Sequence, residues 1–295
     1  MSLIDMHVHS HCSLDADYHP EILLEMAKKK GIQVFSIADH NTAAAYSQFD
    51  WKKETKIRII PAIELDCTID EVNLHVLGYG INPEAVIFRK IHQDILKQEE
   101  TAGIKRVELV RKLGIHIDEN RIRELSHGEI SGEIICEAAL MDKQNENCEL
   151  LMPYRPKGSR SDNPYVNFYW DYCAQGKAAY VAVRYITLNE AVEAICSAGG
   201  IAVIAHPGNN IHEDEILLNK IMNSGVEGIE VYSSYHSKQQ VQFYLKKAEE
   251  YGCLITCGSD FHGKNKPSIE IGHCEVQDEK QLIERINQRI NDKVK

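Results

Sequence analysis

The sequence is short of the features that mark fibrous, secreted and membrane-spanning chains. Its 295 residues include 8 prolines and 18 glycines, too few for a collagen-like or low-complexity protein. No apolar run approaches the roughly 18 residues that a membrane-spanning helix needs, and the first residues show no signal-peptide pattern. The sequence therefore predicts an ordinary globular protein that does not interact with a membrane.

Paired cysteines and a surplus of basic residues are also lacking. The 9 cysteines are odd in number and none forms a Cys-x-x-Cys pair, so we predict reduced thiols in a cytoplasmic protein. Lysine and arginine number 33 against 44 aspartate and glutamate, which gives a net charge of −11. This balance disfavours binding to long duplex nucleic acid, although a small phosphate ligand bound through metal stays possible.

Short apolar runs alternate with helical patterns along most of the chain, as in parallel β/α units. Glycines just past the predicted helices, Gly31, Gly199 and Gly252, are typical helix ends. The apolar runs are Leu3–Met6, Val34–Ala38, Ile57–Ile63, Leu74–Tyr79, Ile201–Ala205, Gly228–Tyr232 and Leu254–Cys257. They predict an α/β fold whose strands form a closed or nearly closed barrel.

The alternation stops between about Glu84 and Thr187. Apolar residues there recur at helical spacing, and the loop Pro153–Pro164 is the most irregular part of the chain. We predict a mostly helical insertion (cap) domain at residues 84–186. Residues 1–83 and 187–295 would together form the barrel.

Histidines and carboxylates recur where the predicted strands end. The first strand runs into His7-Val8-His9, and residues two apart in an extended segment share a face. In β/α barrels the carboxyl ends of the strands meet at one mouth, where active sites lie. We therefore predict a metal cluster built from nine side chains: His7, His9, Asp15, His40, Glu64, His75, His206, Asp260 and His262.

These residues lie in motifs that together resemble the PHP (polymerase and histidinol phosphatase) family. The motifs are His7-Val8-His9 with Asp15, Ala38-Asp39-His40-Asn41, Glu64, His75 in His-Val-Leu-Gly-Tyr-Gly, Ala205-His206-Pro207-Gly208, and Gly258-Ser259-Asp260-Phe261-His262-Gly263. The chain is most similar to the subgroup with a helical insertion, whose members resemble nucleotide and nucleoside 3′,5′-bisphosphate phosphatases. The resemblance implies a distorted (β/α)7 barrel that binds two to three divalent ions.

The resemblance also implies a ligand set for each ion. The sets are His7, His9, Glu64 and Asp260 for the first ion, Glu64, His75 and His206 for the second, and Asp15, His40 and His262 for the third. Mixed imidazole and carboxylate ligands suit zinc, manganese or iron better than calcium. The implied reaction is hydrolysis of a phosphate monoester by a metal-activated water in a trinuclear site.

The chain departs from the family pattern in two places. The loop that carries Asp15 is one residue longer than the commonest spacing. Where the subgroup often has Arg-Pro-His in its insertion, this chain has Ser131-Gly132-Glu133. A phosphate-binding arginine and a histidine are absent there, which bears on the substrate and leaves the metal ligands intact.

Candidate substrate contacts lie both inside and outside the predicted insertion. They are Asn41, Arg155, Arg160, Arg184 and His236. The arginines of the loop Pro153–Pro164 either clamp a second phosphate or belong to a solvated loop. Asp39 either orients His40 or is a structural loop carboxylate. The aromatic residues Phe168, Trp170 and Tyr172 are predicted as core of the insertion in preference to a base-stacking platform.

The leading hypothesis is a phosphatase of small phosphorylated metabolites, foremost AMP or a nucleoside 3′,5′-bisphosphate. The alternatives are a histidinol-phosphate phosphatase and a 5′–3′ exonuclease on short oligonucleotides. A non-enzymatic binding module is disfavoured because it would be expected to lose ligands, and all nine are present here. The other histidines, His92, His116, His127, His212 and His273, are predicted at the surface.

Overall fold

A computed structural model describes residues 2–126 and 130–294, and the described chain contains strands and helices in alternation. The strands are β1 (Ile4–Val8), β2 (Val34–Ile37), β3 (Arg58–Ile59), β4 (Ala62–Ile69), β5 (Val72–Tyr79), β6 (Ile186–Thr187), β7 (Ile201–Ile204), β8 (Gly228–Ser233) and β9 (Leu254–Gly258). The helices are α1 (Pro20–Lys29), α2 (Val86–Lys112), α3 (Glu119–Leu125), α4 (Gly132–Met141), α5 (Pro164–Phe168), α6 (Leu188–Ser197), α7 (Pro207–Asn210), α8 (Glu215–Asn223), α9 (Lys238–Tyr251) and α10 (Glu279–Val294). This content confirms the α/β class.

The strands form two sheets around one interior. One sheet has the order β1-β2-β3, and the other has the order β6-β4-β5-β7-β8-β9. The two sheets meet at two places. Next to β1 and β9, Val8 forms an isolated β-bridge with Phe261, and after β2, His40 forms an isolated β-bridge with Glu64. A closed (β/α)7 barrel is therefore not observed, because isolated bridges replace continuous ladders at both junctions.

Strand β5 runs antiparallel to both of its neighbours, β4 and β7. The prediction of parallel strands throughout is wrong here, because a two-residue turn joins β4 directly to β5. Its residues Asp70 and Glu71 have φ values of 47° and 65°, the backbone that tight hairpin turns require. The reversal brings the first half of β5, which contains His75, to the edge where neighbouring strands end.

The chain between β5 and β6 is mostly helical, with α2 to α5 and a π-helical turn at Tyr169–Cys173. Short 3₁₀ turns lie at Lys143–Asn145 and Glu149–Tyr154. Helix α2 packs Ile91 and Ile95 into the core beneath the sheets, whereas Val107 and Val110 belong to a second apolar cluster. Because α2 contributes to both cores, the predicted domain boundaries at 84 and 186 stay predictions.

The remaining described residues add three 3₁₀ turns, at Ala44–Ser47, Trp51–Lys53 and Gly263–Asn265. Within residues 2–126 and 130–294, no helix combines the length and apolar character needed to cross a membrane. Of the histidines predicted at the surface, His116, His212 and His273 are exposed and His92 is half-buried. His127 lies outside the described residues.

Candidate metal centre

His7 and His9 lie at the end of β1 and are fully buried. Their Nε2 atoms are 3.1 Å apart. Each Nε2 lies 3.1–3.2 Å from Oε2 of Glu64 and 3.0–3.3 Å from Oδ1 of Asp260. In a tetrahedral zinc site, bonds of about 2.0–2.1 Å separate neighbouring ligand atoms by about 3.3 Å. The four atoms therefore have the spacing of a ligand set.

Glu64 uses its second oxygen for another pair of imidazoles. Its Oε1 atom lies 3.1 Å from Nδ1 of His75 and 3.2 Å from Nε2 of His206. Since Oε2 faces His7 and His9, the carboxylate spans two donor groups. This is the bridging arrangement that the family resemblance implies for Glu64.

A third group joins the loop after β1 to the end of β9. The ligand atoms of His9, Asp15, His40 and His262 all lie within 4.8 Å of one another. Nε2 of His262 is 3.2 Å from Oδ2 of Asp15, which is half-buried. The structure thus brings all nine predicted metal-site residues together, and their role as ligands is a proposal.

Four buried atoms of this cluster form no hydrogen bond of good geometry with the described residues, although three of them lie 3.0–3.3 Å from another atom of the cluster. They are Oδ1 of Asp15, Oε2 of Glu64, Oδ1 of Asp260 and Nε2 of His262. A buried polar atom without a partner costs about 1–3 kcal/mol, so such atoms are rare without a reason. Because every one is a nitrogen or oxygen of a metal-ligand type, the donor set fits divalent cations.

The ionisation of the cluster also suits cation binding. Burial opposes the charge of Glu64, yet His7 and His40 hold the pKa of its carboxyl well below the ordinary range. Burial, together with the positive charges of His262 and His40, lowers the pKa of His9 to about 4. The carboxylate of Glu64 and the neutral imidazole of His9 are in the forms that bind metals. Burial disfavours protonation of His7 and His40, yet the charge of Glu64 holds their pKa values well above the ordinary one, so both must release a proton when a metal binds.

Hydrogen bonds from outside the cluster orient several of its imidazoles. Nδ1 of His7 lies 3.0 Å from Oε1 of Glu230, whose other oxygen accepts from the backbone N–H of His206 at 2.8 Å. Nδ1 of His9 lies 2.9 Å from Oγ of Ser13. Such partners set the tautomer of a metal-binding histidine. Glu230 was not predicted, although a lone carboxylate within the apolar run Gly228–Tyr232 was a usable signal.

Asp39 does not orient the ring of His40. It accepts hydrogen bonds from the backbone N–H and the hydroxyl of Ser10 at 2.6 and 2.7 Å, and from the hydroxyl of Ser13 at 2.8 Å. The carboxylate therefore fixes the loop after β1, the alternative structural role. Nδ1 of His40 instead lies 3.1 Å from Oδ1 of Asp66, a residue that the motifs did not include.

Three residues in or beside the cluster have left-handed backbone that non-glycine residues seldom adopt. Asn41, His206 and Asp260 have φ values of 57°, 27° and 58°. Such conformations cost about 1–3 kcal/mol and concentrate at functional sites. The cost fits a place where side chains must be aimed at a common point.

A cavity of about 570 Å³ lies above the cluster. Its floor includes Asp15, His40, His75 and His206, and Lys266 lies at its edge. Its walls come from the helical stretch after β5, and the lining includes Arg106, Glu133, Tyr169, Trp170, Tyr180 and Tyr185. This volume falls within the range that small-molecule sites occupy.

The arginines of the loop Pro153–Pro164 do not line this cavity. Arg155 donates to the backbone carbonyls of Leu140 and Asn145, and Arg160 forms a two-bond ion pair with Asp171. The hydrogen bonds that the two guanidinium groups donate connect separate segments of the helical stretch. That they contact substrate stays a prediction.

The other predicted substrate contacts also have alternative roles. Both ring nitrogens of His236 are engaged by backbone groups, and the exposed Arg184 lies outside the cavity lining. Asn41 does line the cavity, but its side-chain amide is bound to Asp66 through both of its polar atoms. Arg106, Lys177 and Lys266 line the cavity and were not among the predicted substrate contacts.

The sequence pattern of the PHP domain matches residues 5–152, half of the chain. The chain belongs to the PHP family. This PHP protein is similar to a 3′,5′-nucleoside bisphosphate phosphatase of Chromobacterium violaceum, with 25% identity over 93% of this chain and 92% of that protein. The family predicted from the motifs is thereby confirmed.

Two further relatives of this PHP protein are 24% identical to it. One is a phosphoribosyl 1,2-cyclic phosphate 1,2-diphosphodiesterase of Eggerthella lenta, covering 88% of this chain and 94% of that protein. The other is a 5′-3′ exoribonuclease of Haemophilus influenzae, covering 88% and 89%. All three relatives are named as enzymes that act on phosphate esters, in agreement with the predicted enzyme class.

A solved structure supports the fold of the PHP protein. It is that of an amidohydrolase from Chromobacterium violaceum with bound sulfate and no metal. The TM-score is 0.79 at 22% identity, over 99% of this chain and 97% of that one. The two-sheet arrangement with its helical stretch is thus a fold already observed by experiment.

Proposed function

We propose that this PHP protein is a metal-dependent hydrolase of phosphate monoesters, acting on a small phosphorylated compound. The observation that carries the proposal is the cluster of nine imidazoles and carboxylates, whose unpaired buried atoms lie beneath a cavity of ligand size. The preferred substrate is a nucleotide, AMP or a nucleoside 3′,5′-bisphosphate.

Two to three divalent ions, zinc, manganese or iron, fit the donor groups. The residues that would hold them are His7, His9, Glu64 and Asp260, then Glu64, His75 and His206, and finally Asp15, His40 and His262. When bound, such ions lower the pKa of a water molecule and neutralise charge on phosphate oxygens. The imidazole ligands are neutral, so they leave the attraction for a phosphate dianion intact.

Lys266 adds a positive charge at the edge of the cavity. Its ammonium group contacts Oδ2 of Asp260, which also accepts a hydrogen bond from the hydroxyl of Tyr235 at 2.6 Å. Burial opposes the charge of Lys266, but the carboxylate of Asp260 raises its pKa above the ordinary value. A permanently charged ammonium group beside the cluster favours the binding of a phosphate group.

The cavity walls suit the organic part of a nucleotide. Trp170 was predicted as core of the insertion, but it is half-exposed and lines the cavity. Its ring and the half-buried rings of Tyr169 and Tyr185 offer surfaces on which a base can stack. Arg106 is buried, and its Nη1 donates to Glu99 and to the carbonyl of Ile130. Its Nε has no partner among the described residues, so the guanidinium retains donor capacity.

The test is phosphate release by purified protein supplied with manganese. We expect hydrolysis of AMP or adenosine 3′,5′-bisphosphate, slower or no hydrolysis of histidinol phosphate and of a short 5′-phosphorylated oligonucleotide, and loss of activity on adding a chelator. A preference for either of the last two substrates would favour the corresponding alternative function.

Two ligand variants test the metal requirement directly. His9→Ala and Asp260→Ala each remove a donor from the first group, and we expect more than a hundredfold loss of kcat/KM, roughly the loss of several kcal/mol of stabilisation. His273→Ala, at an exposed position, is the control. Full activity in either ligand variant would rule out the metal-dependent reaction.

A further inference from the structure

Asp66 lies beside the metal centre, and no motif includes it. It follows Glu64 by two residues on β4, so both side chains point to the same face of the sheet. The antiparallel register places Asp66 directly opposite His75 on β5, where cross-strand side chains meet. Strand geometry alone therefore directs this carboxylate at a predicted metal ligand.

One oxygen of Asp66 faces two imidazoles. Oδ1 lies 3.1 Å from Nδ1 of His40 and 3.3 Å from Nε2 of His75. His40 belongs to the third donor group and His75 to the second, and the ligand atoms of His40, Asp66 and His75 also lie within 4.8 Å of one another. Oε2 of Glu64 lies slightly farther from Nδ1 of His40 than Oδ1 of Asp66 does, at 3.3 Å.

Asn41 holds Asp66 in this position. Its Nδ2 donates to Oδ2 of Asp66 at 2.7 Å, and its Oδ1 accepts from the backbone N–H of Asp66 at 3.0 Å. The left-handed backbone of Asn41, with φ of 57°, allows both bonds to form at once. With Oδ2 engaged, Oδ1 is the oxygen left for the imidazoles.

A carboxylate that accepts from one ring nitrogen of a histidine leaves the other nitrogen unprotonated for a metal. For His75, a proton on Nε2 leaves Nδ1 free, and that atom faces Glu64 at 3.1 Å. For His40, a proton on Nδ1 leaves Nε2 free for the group of Asp15 and His262. Asp66 is thus placed to set both tautomers.

We propose that Asp66 is a positioning residue that orients His40 and His75 together and so couples the second and third ion positions. This role deepens the proposed function and rests on it, since it presumes that the cluster binds divalent ions. It does not require Asp66 to touch the substrate.

The test measures manganese and zinc binding to metal-freed protein by calorimetry, with metal content counted by mass spectrometry. In Asp66→Asn we expect two ions to bind ten- to a hundredfold more weakly, the usual effect of losing such a partner, with the stoichiometry unchanged. Asp70→Asn is the matched control. It removes the same charge from the exposed turn of the same hairpin, where asparagine tolerates the φ of 47°.

A second variant keeps the test independent of any folding defect in the first. Asn41→Gly removes the side chain that holds Asp66 and tolerates the left-handed backbone. We expect a smaller loss of affinity, and no further loss when Asn41→Gly is added to Asp66→Asn, because both act through one contact. Fully additive losses would overturn the proposal.

The remaining outcomes separate the two proposals. Equal affinities in the native protein and in Asp66→Asn would overturn the role of Asp66 alone. Loss of one whole equivalent of metal, with the others bound as before, would make Asp66 a ligand and also overturn the positioning role. A native protein that binds neither manganese nor zinc would overturn the proposed function itself.

Discussion

Glu133 is a buried carboxyl group in the wall of the cavity, within the stretch that departs from the Arg-Pro-His pattern of the subgroup. Burial raises its pKa to about 7, and the charge of Asp15 contributes to the rise. Arg106 lines the same cavity. At the scale of single residues, the cavity pairs a cation with a carboxyl group that titrates near neutrality.

The raised pKa of Glu133 predicts a pH-dependent stability in metal-free protein. The group titrates at about 7 when folded and at its ordinary 4.5 when unfolded, so its proton stabilises the fold below 4.5 and this contribution is lost as pH rises through 7. We expect the free energy of unfolding of Glu133→Gln to be about 2–3 kcal/mol higher than that of the native protein near pH 8. Near pH 4 the two proteins should be about equally stable. Urea unfolding with chelator present, with the exposed Glu146→Gln as control, measures this. Parallel stability curves for both proteins would contradict it.

The guanidinium group of Arg106 predicts that its substitution weakens the binding of substrate. Arg106→Lys keeps a cation for Glu99 but loses the Nε donor that faces no described partner. Losing a charge-assisted hydrogen bond costs roughly 1.5–3 kcal/mol, which corresponds to about a ten- to hundredfold rise in KM for AMP. We expect kcat to change far less. Steady-state kinetics separate the two constants, and an equal fall in kcat with unchanged KM would place Arg106 outside substrate binding.

At the scale of secondary-structure elements, the close contact between strands β1 and β9 predicts that adding a single methyl group strongly lowers stability. A Cβ atom at Gly258 would lie 2.1 Å from Cβ of His7 and 2.5 Å from Oε1 of Glu230. Gly258→Ala must therefore displace β1 or Glu230, and we expect about 3 kcal/mol or more of destabilisation with weaker metal binding. Gly31→Ala, where a Cβ meets nothing within 4 Å, should cost only the roughly 1–2 kcal/mol of its left-handed backbone. Similar midpoints for both variants in urea would contradict the close packing.

The strand that the sequence predicts best is a continuous apolar run, β7, because full burial on both faces favours apolar residues throughout. The direction of β5 was not predictable, since its turn residues Asp70 and Glu71 are not the glycine or asparagine that announce a hairpin. The strands β3 and β6 contain two residues each, too few for a pattern.

The candidate metal centre could be proposed from the sequence because most of its residues lie at or just beyond strand ends, which any barrel-like fold brings together, whereas Glu64 and His75 lie inside β4 and β5. The arginine that lines the cavity could not be picked out, since the partner of an arginine depends on tertiary packing: Arg160 pairs with Asp171 and Arg106 lines the cavity. Asp66 had an available signal, its spacing of two from Glu64 on one strand. That spacing acquires meaning only once β5 is known to run antiparallel.

At the scale of the whole molecule, the metal centre lies on the junction of the two sheets. The sheet of β1 and β2 contains His7 and leads into His9 and His40, and the other sheet contains Glu64 in β4 and leads from β9 into Asp260. The isolated bridges between the two sheets, Val8 to Phe261 and His40 to Glu64, lie at the same place. Ions held by ligands from both sides would therefore fasten the sheets to each other.

This arrangement predicts that metal removal destabilises the entire fold. An ion at a hundred times its Kd adds about 2.7 kcal/mol, so two ions add about 5 kcal/mol, or roughly 10–20 °C in Tm for a chain of this size. We expect a chelator to lower Tm by that amount, manganese or zinc to restore it, and amides of β1 and β2 to exchange with deuterium faster in the metal-free state. The second half of helix α2, whose Val107 and Val110 pack in the second apolar cluster and not in the core of the sheets, is the internal control. Asp260→Ala should respond much less to the chelator, and an unchanged Tm despite measured loss of metal would show that the sheets hold together without it.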